Sequence, residues 1–192
     1  MKVFDSGMPD EAYWNSLFDI PTIVDWLNVR TTPGPIVEVG CGYGTFTVPV
    51  ATESRGRFFA YDIEPAMLEQ ARTNATQAGL TNIRFELRDV LDEGTGLESE
   101  SAGMVLLFNI LHCDERRILL EESARVLTRG GIVAIIHWRK DIETPRGPSI
   151  PTRPDEAAIV TAIGGLDLHL HGKSRIVEPY HWGIQLIKGI NK

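Results

Sequence analysis

An α/β fold built on a mostly parallel, doubly wound sheet is predicted by three observations on this 192-residue chain. Short apolar, β-branched runs alternate with stretches of helical periodicity, the pattern of repeated strand–helix units. The first such run, Ile36-Val37-Glu38-Val39, leads directly into Gly40, Gly42 and Gly44 at every second position. The next run closes on an acid, Asp62, 20 residues beyond Gly42. A strand, a glycine turn and a helix start together leave backbone amides and open space at the strand's carboxyl end, where such sheets bind nucleotides.

Ahead of the first strand, Tyr13, Trp14, Leu17 and Phe18, then Ile23, Val24, Trp26 and Leu27, recur at helical spacing. Pro21 is expected to divide this segment into two short helices. Thr31-Thr32-Pro33-Gly34-Pro35 is a turn cluster that ends it. After the glycines a helix is expected over 45–53, with Pro49 tolerated because first-turn amides have no intrahelical partner. Residues 57–61 read as the second strand. Glu64-Pro65 then opens a helix with proline in its first turn, Met67, Leu68, Ala71 and Ala75 give it an apolar stripe, and Gly79 stops it.

Further strands are expected over 82–87, 102–108 and 131–138, with an exposed loop over 93–101. The helix over 114–127 is stopped by Arg129-Gly130-Gly131. A Pro/Gly/Arg-rich loop covers 139–153, and Pro154-Asp155-Glu156 starts a helix running to Gly164. Runs over 166–170 and 183–187 complete seven strands.

The glycine spacing narrows the ligand. A dinucleotide fingerprint, G-x-G-x-x-G, would need glycine at position 45, where this chain has Thr45. With Glu38 just before the first glycine, the order E-x-G-x-G-x-G resembles motif I of the class I S-adenosylmethionine-dependent methyltransferases. The resemblance runs in order over residues 35–140, through Asp62, Arg88-Asp89-Val90, Asn109-Ile110-Leu111-His112 and the Ala124–Gly131 stretch before the fifth strand.

That resemblance implies a seven-stranded mixed sheet in a three-layer α-β-α sandwich, the last strand antiparallel. It implies S-adenosyl-L-methionine as cofactor and S-adenosyl-L-homocysteine as product. Cofactor-binding positions carried over are Glu38, Gly40, Gly42, Gly44, Asp62, Ile63, Asp89, Val90 and Asn109. Asp62 takes the ribose hydroxyls; Asp89 takes the adenine amino group, with the Val90 amide beside it. A solvated loop aspartate would leave the same trace as Asp89. In the family an N-terminal helix covers the cleft, so residues 1–34 are read as a helical segment or flap, with Tyr13 and Trp14 over the cofactor, and residues 35–192 as the binding domain, within a single domain overall. Packing of the same rings on the sheet edge is the simpler alternative.

An antiparallel last strand brings Tyr180, His181 and Trp182 towards His137, Trp138 and Arg139. The catalytic candidates are His137, Arg139 and His181 from this convergence and His112 from its match to the family's motif IV, the histidines as bases for an acceptor that carries a proton. Each histidine alone is equally well explained as structural. Trp14, Tyr43 and Tyr180 are candidates to face the sulfonium cation. Arg139, Arg146 and Arg153 suggest an anionic group on the acceptor; pairing within the loop explains them without any ligand.

Composition bounds the partners. A net charge of −7 and an acidic isoelectric point near 5.2 argue against a nucleic-acid backbone. No apolar run approaches the ~20 residues of a membrane-spanning helix, and residues 1–11 lack an apolar signal core. Cys41 and Cys113 make no disulfide framework, consistent with a reducing, cytoplasmic setting. His169 and His171 alternate on one strand without any metal-binding motif, so no metal is expected. The expected function is in-line methyl transfer to a small-molecule acceptor by a monomer or homodimer. The alternative is a non-catalytic S-adenosylmethionine-binding sensor or partner subunit. A nicotinamide-dependent enzyme is a more distant reading of the same glycine-plus-acid pattern.

Overall fold

The computed structural model describes residues 7–189. The reading of residues 1–6 as part of a signal-free N-terminus lies outside them. The chain runs α1 (Glu11–Asn15), α2 (Ile20–Leu27), β1 (Ile36–Val39), α3 (Thr47–Glu53), β2 (Phe58–Asp62), α4 (Pro65–Gln77) and β3 (Ile83–Leu87). It continues through α5 (Val90–Glu93), β4 (Ala102–Phe108), α6 (Arg116–Val126), β5 (Leu127–Trp138), α7 (Glu156–Ala162), β6 (Leu168–Val177) and β7 (His181–Lys188). The seven strands form one sheet in the order β3-β2-β1-β4-β5-β7-β6. β1 to β5 pair in parallel, and β7 runs antiparallel to both β5 and β6.

Strand alternation sorts the core into two layers. From β4, Met104, Leu106 and Phe108 face a cluster with α2, α3 and α4, where Ile23, Val50 and Leu68 are buried. Val105 and Leu107 face the opposite cluster, with Leu119 and Leu120 of α6 and Ile159 of α7. Both faces are covered, which is why the central strands read as continuous apolar runs rather than alternating ones. β1 lies between β2 and β4, so the connections leaving β1 and β4 diverge on opposite sides. That reversal of strand order opens a crevice at the strands' carboxyl ends.

Several boundaries differ from the sequence expectation. Pro21 lies in the first turn of α2 and divides nothing; the break falls at Asp19, whose carboxylate accepts the Thr22 amide. β5 starts at Leu127, directly after α6, so Arg129-Gly130-Gly131 lies inside a strand with a register shift rather than in a helix stop. Residues 90–93 form a helical turn, and Thr95, in the expected exposed loop, is buried by two hydrogen bonds to Glu122. β6 extends to Val177 across a bulge between His171 and Arg175. Gly172, Lys173 and Ser174 carry loop chemistry, yet a bulged, charged edge strand accommodates it.

Candidate active site

The crevice is a cavity of about 570 Å³ that runs from the glycine loop to the end of β5. That volume lies within the usual range of small-molecule sites.

The glycine loop is shaped from beneath. Glu38 is buried, and its Oε2 accepts a 2.5 Å hydrogen bond from the Thr47 hydroxyl at the start of α3. Burial pushes its carboxyl up to about 8; the Thr47 bond opposes this and nearby Asp62 adds to it. Glu38 is absent from the cavity lining and acts by fixing where the loop joins the helix. Gly40 has φ +76°, and a Cβ there would lie 2.8 Å from Ile110 Cγ2. Gly40 and Gly42 line the cavity, whereas Gly44 is buried against Ala71 of α4.

Asp62, at the tip of β2, is the pivot of this half. Its Oδ2 accepts the Gly42 amide at 2.8 Å and its Oδ1 the Glu64 amide at 2.9 Å. Burial pushes its carboxyl up, and these amides pull it back. A carboxylate offers about four lone-pair sites, so capacity remains for a ligand. Ile63 and Val90 line the cavity, and Asp89 lines it while capping α5 through the Leu91 amide at 3.1 Å.

The loop's side chains hold the N-terminal segment. The Tyr43 hydroxyl donates to Pro9 O at 2.6 Å, and the Thr45 hydroxyl to Asn15 Oδ1 at 2.7 Å. Asn74 Nδ2 donates to both Tyr43 O and Glu11 Oε1. Met8, Pro9 and Trp14 thereby join the lining. Tyr43 and Tyr180 do not line the cavity, and Tyr13 is 42% exposed outside it, so of the expected rings only Trp14 reaches the cleft. Met8 and Pro9 carry no sequence motif; nothing short of the folded contact with Tyr43 would have singled them out.

The β4–β5 half is organised differently. Asn109 sits at the end of β4 with φ +59°, and its amide donates to Ile136 O at 2.8 Å. Both polar atoms of its side chain are buried without a hydrogen-bond partner, as is Nδ1 of His112. Both residues line the cavity. Burial lowers the His112 pKa, with Arg116 adding to the effect and the Asn109 backbone opposing it.

The other catalytic candidates fall behind or beside the cleft. The predicted convergence is present: His137 pairs with Trp182 and Trp138 with His181 across β5 and β7, and the Arg139 amide donates to Tyr180 O at 2.9 Å. Of these residues Trp138 lines the cavity. His137 and His181 have no exposed surface and no hydrogen-bond partners for their rings, and burial pushes both down to about 3. His181 stacks on Phe18 with ring centroids 4.4 Å apart, and His137 lies 5.8 Å from His112. Arg139 forms an ion pair with Asp141 at 2.8 Å and does not line the cavity. Buried Arg153 donates to the carbonyls of Pro148 and Arg139, folding the loop on itself. Arg146 alone of the three arginines lines the cavity, and its Nη2 donates to Gly7 O at 2.6 Å. Among the described residues no group of three His, Cys, Asp or Glu side chains could hold a metal ion, and no helix is long and apolar enough to cross a membrane.

Comparison with known proteins places this geometry. Aklanonic acid methyltransferase DauC of Streptomyces sp. (strain C5) is 31% identical over 102 residues, covering 52% of this chain and 46% of that protein. An uncharacterized RNA methyltransferase of Parasynechococcus marenigrum is 36% identical over 72 residues, covering 37% of this chain and 15% of that protein. The chain thus spans less than half the length of these relatives. The fold matches the crystal structure of a SAM-dependent methyltransferase from Aquifex aeolicus with a TM-score of 0.79 at 20% identity, over 93% of this chain and 94% of that one. Residues 36–131, half of the chain, match the family described as a methyltransferase domain, and the chain belongs to the class I S-adenosylmethionine-dependent methyltransferase family.

Proposed function

We propose that the cleft binds S-adenosyl-L-methionine along the ends of β1 to β3 and directs its methyl group to a small-molecule acceptor at the ends of β4 and β5, leaving S-adenosyl-L-homocysteine. The observation that carries this reading is Asp62, which ties the glycine loop and the start of α4 together by two backbone amides while facing the cavity. A carboxylate so fixed has lone pairs to spare for ribose hydroxyls. Gly40 and Gly42 leave the floor free of side chains, and Asn109 lines the cavity further along. These residues fit the cofactor, which when bound supplies an electrophilic methyl carbon.

The chain's own part is binding and alignment. Asp62 orients the ligand, Trp14 and Met8 cover it, and the apolar walls keep water from the reacting atoms. Holding two partners in near-attack geometry accounts for ~7–11 kcal/mol of a barrier. The net charge of −7 favours a small acceptor over RNA, although RNA methyltransferases occur among the relatives. A relative whose name gives aklanonic acid as its substrate points the same way.

Calorimetric titration with S-adenosyl-L-homocysteine tests the reading. Micromolar binding is expected, weakened roughly 100-fold or more in Asp62→Ala, because hydrogen bonds to a charged group contribute about 1.5–3 kcal/mol each. A wild-type protein that takes up no S-adenosyl-L-homocysteine overturns it.

A further inference from the structure

The acceptor half of the cleft carries information on what it accepts. Four aromatic rings line it: Trp14, Phe46, Phe108 and Trp138. They interlock edge to face, with Phe46 and Phe108 centroids 4.9 Å apart and Trp14 and Trp138 6.2 Å apart. Ile118 and Leu119 continue the apolar wall on the α6 side. Charge is sparse in this half, with half-buried Arg146 and exposed Glu115 in the lining. Arg146 directs its guanidinium at the Gly7 carbonyl. An ammonium acceptor would leave its charge without a buried carboxylate, and a carboxylate acceptor would lack a buried cation. The polar residues that line the interior here are neutral: the Asn109 amide and the His112 imidazole, whose Nδ1 is buried without a partner.

We propose that the acceptor is a planar aromatic molecule bearing a hydroxyl, a phenol or enol, and that His112 is the catalytic base that receives its proton. This rests on the reading of the cleft as a methyl-transfer site. In the step, the O–H bond breaks and its proton passes to the unprotonated ring nitrogen of His112. The oxygen lone pair forms the new O–CH₃ bond, and the electron pair of the breaking C–S bond stays on sulfur, leaving a thioether. A carboxylate needs no base, so a neutral imidazole in a pocket sparse in charge serves a hydroxyl specifically.

The groups around His112 keep it neutral at working pH. His137 of β5 lies behind it, Arg116 stands at the start of α6, and Cys113 and Glu115 flank it on its own loop. None of these is a buried anion that would hold a proton on the ring.

The test compares three probes on one ring: naphthol, naphthoic acid and naphthylamine. Calorimetry first establishes S-adenosyl-L-homocysteine binding; its failure overturns the methyl-transfer reading and this proposal together. With that binding in place, naphthol is expected to bind the loaded protein and to be methylated from S-adenosyl-L-methionine at least ~10-fold faster than the other two. Methylation of the acid or the amine in preference to naphthol, or of none of the three, overturns the proposal while leaving the cofactor site standing. For His112→Asn and His112→Gln, kcat on naphthol is expected to fall ~10²–10⁴-fold, with S-adenosyl-L-homocysteine affinity retained. The wild-type rate should lose its activity in acid, as His112 protonates below its ordinary range, and both variants should lack that limb. An unchanged acid limb in the variants assigns the proton to another group and overturns the role of His112.

Discussion

The two halves of the cleft satisfy their polar groups in opposite ways. At the ends of β1 to β3, Asp62 accepts two backbone amides, Glu38 a hydroxyl, and Asp89 caps α5. At the ends of β4 and β5, the side chains of Asn109 and His112, which line the cavity, carry buried atoms with no partner, as do His137 and His181 behind them. A half whose bonds are complete within the protein is organised before any ligand arrives. A half with unpartnered buried atoms is held by packing rather than by polar bonds, each unmade bond costing roughly 1–3 kcal/mol. The first half suits a cofactor shared by a family, the second an acceptor particular to this chain.

The largest effect expected from breaking this contrast is on the organised side. Asp62→Ala releases both the glycine loop and the start of α4, so S-adenosyl-L-homocysteine affinity should drop ~100-fold or more in calorimetry, whereas Asn109→Ala should cost the cofactor no more than ~10-fold, as one neutral side-chain hydrogen bond contributes about 0.5–1.5 kcal/mol. Equal losses in the two variants would erase the distinction.

On the other side, the buried histidines set an acid limit. Burial holds His137 at about 3, with His112, His181 and Arg153 facing it and disfavouring its charge further. An unfolded histidine titrates near 6.5. The unfolded chain therefore binds the extra proton as pH falls below 6.5 while the folded chain does not. The stability this gives is complete above pH 6.5 and is lost progressively down to about 3. At pH 5 the loss amounts to about 2 kcal/mol for one such histidine. His137→Gln should make that limb shallower in urea titrations between pH 7 and 5, with His181 keeping its own share. A variant with the wild type's full acid slope would place the sensitivity elsewhere.

Gly147 offers a smaller, local perturbation. It has φ +108°, and a Cβ there would fall 2.8–2.9 Å from three atoms of the Trp138 indole. Gly147→Ala must push the loop off the ring or tilt the ring into the cavity, a strain of about 1–3 kcal/mol. The acceptor's KM should rise several-fold with S-adenosyl-L-homocysteine affinity unchanged. A shift in cofactor affinity instead would mean that the two halves are mechanically coupled.

What the amino-acid order made legible follows the same division. The glycine spacing, Glu38 and Asp62 act through backbone geometry fixed within two successive strand–turn–helix units, so local sequence carries them. The mixed sheet with its antiparallel last strand was legible through the family resemblance rather than through local sequence. His137 and His181 were placed near one another correctly, yet their surroundings come from the fold: Phe18 and Trp138 pack on the His181 ring, and the His112 ring lies 5.8 Å from that of His137. Arg153, an arginine on a proline-rich loop, looked like an anion ligand; only the folded loop brings the Pro148 and Arg139 carbonyls to its guanidinium. The bulge in β6 and the strand start at Leu127 are likewise tertiary effects, since pairing partners override local loop chemistry.

The N-terminal strap joins the halves, and it gives the smallest and most discriminating expectation. Residues 7–9 are held from the cofactor side by the Tyr43 hydroxyl on Pro9 O and from the acceptor side by Arg146 on Gly7 O. Thr45 on Asn15 and Asn74 on Glu11 fasten the following helix. Tyr43→Phe deletes one bond of about 0.5–1.5 kcal/mol and leaves the others in place. S-adenosyl-L-homocysteine should then dissociate ~3–10-fold faster in stopped-flow measurements with little change in association, the usual partition for a lost contact. Arg146→Ala should leave that rate nearer the wild type's and raise the acceptor's KM. If the two single effects on dissociation combine additively in the double variant, the strap is two independent fastenings. A double variant no faster than Tyr43→Phe alone would mean that releasing Pro9 already frees Gly7, and that the cover over both halves opens as one piece.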